Sequence, residues 1–219
     1  MAEPVKKTRG YESPRRREQA AATRSVILEA ARRLFEERGY PATTMAAIGK
    51  EAKVSLKTVY VVFETKSGVL RALWHLSLRG DAGDATVSDR DWYRAVLDER
   101  DPVRQLQLNA HNSGVVKQRA GAIFGVIRDA AASEPEIAEL WARIETEFYE
   151  NQRAIVATLA ERGALRPELD VTRGADILWA LNHPDTWCNL VQVRGWSPEE
   201  YERWFAESAA SQLLARNAT

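Results

Sequence analysis

Cysteine is almost absent from these 219 residues: Cys188 stands alone, so no internal disulfide can form and no thiolate cluster can bind a metal. It reads as a small buried hydrophobe. The three histidines, His75, His111 and His183, lie far apart without metal-ligand spacing, and no nucleophile–base pair can be supported. Neither a metal, a cofactor nor an enzyme is therefore expected. No run of about 18 apolar residues offers a membrane span. The basic N-terminus MAEPVKKTRGYESPRRR has no apolar stretch behind it, so a signal peptide is not recognisable and a cytoplasmic protein without a membrane partner is expected. Repeats and low-complexity tracts are lacking, and so is net charge.

The zero net charge conceals a segregation. Residues 1–80 hold 16 Lys/Arg against 8 Asp/Glu, a net +8, and the remainder hold 15 against 23, a net −8. A basic module on an acidic body points to a polyanion partner for the first part. At 45% hydrophobic content the chain can bury a substantial core. Its apolar residues recur at helical spacing: Ile27, Ala31, Leu34 and Phe35 line a helix from Thr23 to Arg38, which stops at Gly39. Thr44 is placed to cap a short helix with Met45, Ile48 and Ala52 inward. Another is predicted from Lys66 to about Arg79, burying Val69, Leu70, Leu73 and Leu76.

Between these lies KTVYVVF, residues 57–63, whose β-branched and aromatic content alone reads as a strand. The first 80 residues contain no partner for one, and a lone strand is not stable. As a helix the segment gains a start at Ser55, an inward stripe of Leu56, Val59 and Phe63, and an outward face of Lys57, Thr58, Tyr60 and Val61. The propensity cost, a few tenths of a kcal/mol per β-branched residue, is small enough for packing to override. Two short helices joined by a tight turn, the second presenting Lys, Thr and Tyr, describe a helix-turn-helix whose second helix fits a major groove.

The stretch ILEAARRLFEERGYPATTMAAIGKEAKVSLKTVYVVFETKSGVLRAL resembles the DNA-binding domain of the TetR-type transcriptional regulators, with LF…GY, TT, VS, TVY, F and K in register. A shorter resemblance, ILWALNHPDTW…VRGWSPEEYERWF, is to the last helices of many actinobacterial-type members. The resemblance implies an all-α chain: a basic flexible arm over 1–22, a helix-turn-helix domain over 23–65, and a helical effector-binding and dimerisation domain over 66–219. It also implies DNA contacts from Thr43, Thr44, Ser55, Lys57, Thr58, Tyr60 and Lys66. Lys53 stands where many members have glycine, so a left-handed backbone is expected there. Val61-Val62 replaces the usual His/Lys-Tyr pair, and Val61 is suited to a thymine methyl. Arg9, Arg15, Arg16 and Arg17 have the character of either a minor-groove arm or a solubilising tail.

The second part reads as helical throughout, after a polar loop, DAGDATVSD. A short helix is expected over Asp91–Glu99, a second starting with Val103, Leu106 and Ala110, and the next with Ile123, Phe124 and Ile127 inward. A long helix from Glu134 to Arg162 carries the stripe Ile137, Trp141, Ile144, Phe148, Ile155, Leu159. One step of that stripe is polar, Asn151 or Gln152, and a buried amide there needs a partner. Pro184 interrupts one helix and starts another, and Ser197-Pro198-Glu199-Glu200 forms a capping box. The family resemblance implies an effector pocket, for which Trp74, His111, Asn112, Trp141, Glu145, Phe148, Gln152 and Trp179 are the candidates, and a small apolar or aromatic effector. It further implies a homodimer through Trp187, Leu190, Val191, Tyr201, Trp204, Phe205, Ser208 and Leu213. The function expected is a repressor released from a palindromic double-stranded operator by its effector. The alternative is a helical small-molecule-binding protein that has lost operator binding.

Overall fold

The structure is a computed structural model that describes residues 14–79, 87–88 and 90–215. Among them there are ten α-helices and no strand. The one β-type contact among them is an isolated bridge between Leu165 and Leu214.

Helix α1 spans Pro14–Ala42, broken at Gly39, whose φ of 74° lies outside the helical region. It begins nine residues before the expected Thr23, so Arg15, Arg16 and Arg17 lie on a helix instead of a flexible arm. The PRRREQAAATR stretch has no helix breaker after its first proline, which is tolerated in a first turn. Arg9 lies outside the described residues, as does most of the expected polar loop.

Helices α2 (Met45–Glu51) and α3 (Leu56–Phe63) form the two-helix unit. Each cap is a hydroxyl, Thr44 accepting from the Ala47 N–H at 3.1 Å and Ser55 from the Thr58 N–H at 3.1 Å. KTVYVVF is thus helical. Val59 and Phe63 are buried as expected, whereas Leu56 is 44% exposed, because its position in the first turn precedes the packed face. The turn between the helices places Lys53 at φ 56°, and a second left-handed residue, Glu64 at φ 57°, ends α3. Helix α4 (Lys66–Arg79) buries Val69, Leu70 and Leu73, but Trp74 and Ser77 complete its inner face and Leu76 is 39% exposed.

Helix α5 (Asp91–Asp98) precedes α6 (Pro102–Ala131), a single 30-residue helix where two were expected. Gly114 lies within this helix, where an added Cβ would stand 2.6 Å from the Glu202 carboxylate of the last helix and would displace that side chain. Helix α7 (Pro135–Glu161) is the expected long helix, followed by α8 (Val171–Asn182), α9 (Pro184–Trp187) with a π-helical continuation over Cys188–Val193, and α10 (Pro198–Leu213) with the capping box in place.

Two clusters of buried apolar side chains hold these helices. The first gathers Phe35, Ile48, Val59 and Leu70 from α1–α4 with Ile123, Phe124 and Ile127 of α6 and Ile137 to Ile144 of α7. The second joins α5, the first half of α6 and the second half of α7 to α8–α10 around Tyr201 and Phe205. The helix-turn-helix therefore shares its core with α6 and α7 and has no closed core of its own.

Candidate nucleic-acid interface and cavity

On α3 the side chains sort by face. Lys57 is exposed, Tyr60 is 48% exposed and Val61 74% exposed, all outside the core that holds Val59 and Phe63. Thr58 is half-buried and its hydroxyl lies 2.8 Å from that of Ser55, so the two hydroxyls form one polar pair at the helix start. Thr44 is exposed at the start of α2, leaving a helix N-terminus open to an anion.

Two expected contact residues are placed otherwise. Thr43 is 0% exposed and its hydroxyl reaches the Leu34 carbonyl at 3.1 Å and the Gly39 carbonyl at 2.9 Å. It ties the start of α2 to the end of α1 and cannot reach DNA. The Lys66 ammonium turns back onto the Tyr40 carbonyl at 2.9 Å and stands 4.0 Å over the Tyr40 ring. Burial lowers its pKa, with Glu134 opposing. Beside it the Ser67 hydroxyl hydrogen-bonds the Glu136 carboxylate, joining the first turn of α4 to the first turn of α7.

Between the two core clusters lies a cavity of about 110 Å³. Trp74 and Leu78 of α4, Trp92 and Tyr93 of α5, and Phe124, Ile144 and Phe148 of α6 and α7 give it apolar walls. One side is polar: Asn109, Ser113 and Lys117 of α6 with Gln152 of α7. Lys117 is 6% exposed, its ammonium donating to the Asn182 Oδ1 and, at 3.1 Å, to the Tyr201 hydroxyl, with the Tyr201 ring centroid 5.0 Å away. Desolvation pushes its pKa well below the usual lysine value, and the Cys188 thiol opposes this only in part. Asn182 donates to the Gln152 Oε1 and the Ser113 hydroxyl, both at 3.0 Å. The buried amide of α7 is thus Gln152, and its partner is a side chain.

Of the expected pocket residues, Trp74, Phe148 and Gln152 line the cavity. His111 is on the surface with the Glu202 carboxylate at 3.1 Å, and Asn112 donates to the Trp92 carbonyl. Trp141 packs edge-on against Phe124 behind the wall, and Trp179 against His183. Glu145 faces His183 Nε2 at 3.7 Å; burial raises its pKa while His183 lowers it. These five are neighbours of the cavity at most. The residues missed, Asn109, Ser113, Lys117 and Phe124, follow from one omission. In a continuous α6 the positions 110, 114, 117, 121 and 124 share a face, and a lysine within that apolar stripe is the signal.

The expected dimer residues also divide. Trp187 of α9 and Tyr201, Phe205 and Leu213 of α10 are buried in the chain's own second core, the α10 stripe turning onto α6 and α8, and so are not available to another copy. Leu190, Val191, Trp204 and Ser208 keep part of their surface.

No helix among the described residues is long and apolar enough to cross a membrane, and no group of three His, Cys, Asp or Glu there is arranged to hold a metal. A family model described as bacterial regulatory proteins, tetR family, matches residues 27–73. A Pseudomonas putida protein named "Probable HTH-type transcriptional regulator ArpR" is 30% identical over 172 residues, 76% of this chain and 79% of that one. The SmeT–triclosan complex superposes with a TM-score of 0.70 over 90% of this chain and 94% of that one, at 22% identity. NalD, described as the secondary repressor of the MexAB-OprM multidrug efflux pump in Pseudomonas aeruginosa, matches with a TM-score of 0.70 over 91% and 99%, at 21% identity. At that identity the likeness to the two solved structures is one of fold.

Proposed function

The chain belongs to the TetR family and is a helix-turn-helix DNA-binding transcriptional regulator, and from that premise we propose that it is a homodimeric repressor which a small molecule, seated in the cavity, releases from a palindromic operator. The observation that carries this reading is the sharing of one helix: α6 supplies the polar wall of the cavity and, through Ile123, Phe124 and Ile127, the floor on which α1 and α4 rest. A ligand that prefers one packing of α6 changes the population of arrangements in which the two helix-turn-helix units match successive major grooves, about 34 Å apart. The SmeT complex provides a small-molecule precedent on the same fold. On the DNA side, Ser55, Lys57, Thr58, Tyr60 and Val61 form the reading face, with Thr44 offering the N-terminus of α2 to a phosphate. Leu190, Val191, Trp204 and Ser208 are the residues of the expected dimer surface that remain accessible to a second copy.

A mobility-shift titration on DNA flanking the protein's own gene, at low salt, tests the DNA half. Wild type is expected to bind, with Lys57→Ala and Tyr60→Ala weakened. Equal and poor binding by all three proteins would overturn the reading in favour of a small-molecule-binding protein without operator activity.

A further inference from the structure

The hydrogen-bond directions around the cavity can be assigned from one residue, because a charged lysine donates and cannot accept. Lys117 Nζ donates to Asn182 Oδ1, so the Asn182 amide nitrogen faces Gln152 and Ser113 and donates to both. Gln152 therefore uses its oxygen, and the network makes no use of its Nε2 hydrogens. Ser113, having accepted from Asn182, gives its own hydrogen to Asn109 Oδ1 at 3.4 Å. What is left over at the end is Asn109 Nδ2, a donor buried without any hydrogen-bond partner on a residue 5% exposed. The side-chain oxygens of Asn182, Gln152, Ser113 and Asn109 each already accept a hydrogen bond, and the groups left without a partner are donors: the third hydrogen of Lys117, Gln152 Nε2 and Asn109 Nδ2. Among the described residues no carboxylate is paired with Lys117, although a buried ammonium is costly unless something neutralises it. The acidic side chain that lines the cavity, Glu147, is exposed.

We infer that the cavity is built for an organic anion, a carboxylate head on Lys117 and the amides of Asn109 and Gln152 with a compact apolar body among Trp74, Trp92 and Phe124. This inference rests on the effector reading above and specifies the chemistry of the effector. The volume, about 110 Å³, suits a body on the scale of a single ring. A carboxylate supplies acceptor lone pairs for all three surplus donors and the missing counter-charge, which a neutral ligand of the same shape does not.

The test uses the full chain and two matched pairs, phenylacetate with phenylacetamide and octanoate with octanamide, followed by calorimetry and by fluorescence of the cavity tryptophans. At least one acid is expected to bind on the order of tenfold or more tighter than its amide. Lys117→Met is expected to abolish that preference. Asn109→Leu, which removes the unpartnered donor and keeps the volume, is expected to weaken the acids while raising Tm, a combination that a purely structural asparagine would not give. If Lys117→Met does not fold, Asn109→Leu decides. Amides binding as tightly as acids, or a preference that survives the folded variant, would overturn the inference. Amides that bind and release DNA where acids do not refute the anion alone and leave ligand-controlled repression standing. If no probe binds while operator binding persists, the cavity reading falls as well.

Discussion

Lys53 shows how a departure from a family pattern becomes a physical quantity. Its φ of 56° is the left-handed backbone that its position between α2 and α3 imposes, and a side chain there costs about 1–2 kcal/mol. Lys53→Gly removes that strain but gives back some of the gain as unfolded-chain entropy, so a net stabilisation of roughly 0.5–1 kcal/mol is expected in a denaturant titration. Lys117 is the other informative lysine. Its native pKa lies well below its ordinary 10.5, so between those two values the unfolded chain holds a proton that the folded chain has released. Stability contributed by this site therefore rises with pH across that interval. Lys117→Met lacks the titration. The stability difference, variant minus wild type, is expected to shrink as pH rises toward 10, measured by denaturant midpoints at several pH values. Taking the difference cancels the buried tyrosines, Tyr40 and Tyr93, whose pKa values of about 12 weaken the fold above pH 10 in both proteins. The two lysines were not equally visible in the sequence: Lys53 showed against a pattern of glycine, whereas Lys117 was hidden by a helix read as two.

Among the elements, those with explicit start signals were legible. Thr44, Ser55 and the Ser197–Glu200 box each cap the helix expected of them, because a hydroxyl three residues before an orphan N–H is a local interaction that needs no tertiary partner. What was not legible depended on packing against a distant element. Thr43 reads like its neighbour Thr44, yet it is buried by α1, and Thr43→Val is expected to cost about 1–2 kcal/mol by taking the hydroxyl donor away from the Leu34 and Gly39 carbonyls. Gly68 is a further case: a Cβ there would stand 2.5 Å from the Phe63 carbonyl oxygen. Gly68→Ala is expected to force α3 and α4 apart at about 1–3 kcal/mol. It should also lower DNA affinity, which the same mobility-shift titration would detect.

For the whole molecule, the sequence carried the all-helical class and the charge division but not the division of the core. A boundary at residue 65 presumes a self-contained DNA-binding unit, whereas buried residues of α1–α4, the second half of α6 and the first half of α7 form one continuous apolar cluster. The apolar stripe of a single helix says that a face is buried without saying against what. The charge division has its own consequence. If Lys57 neutralises a phosphate on each of two protomers, Lys57→Ala is expected to make the slope of log affinity against log salt shallower by about 1 for each phosphate left without its lysine. A Val61→Ala change should leave that slope alone and alter only the preference among operator sequences.

Helix α6 is thirty residues without a break, about 45 Å of stiff rod at 1.5 Å per residue. A rod pivoting near its middle acts as a lever: a tilt of about 5° moves either end by about 2 Å, comparable to the sliding seen in packed helices. Lys117 lies at the fulcrum, Asn109 about 11 Å along the near arm, and the Ile123–Ile127 floor under α1 and α4 about 10–16 Å along the far arm. With arms of similar length, a shift imposed at Asn109 reaches that floor at similar size and opposite sense, so the stiffness of the rod lets a small ligand act at a distance.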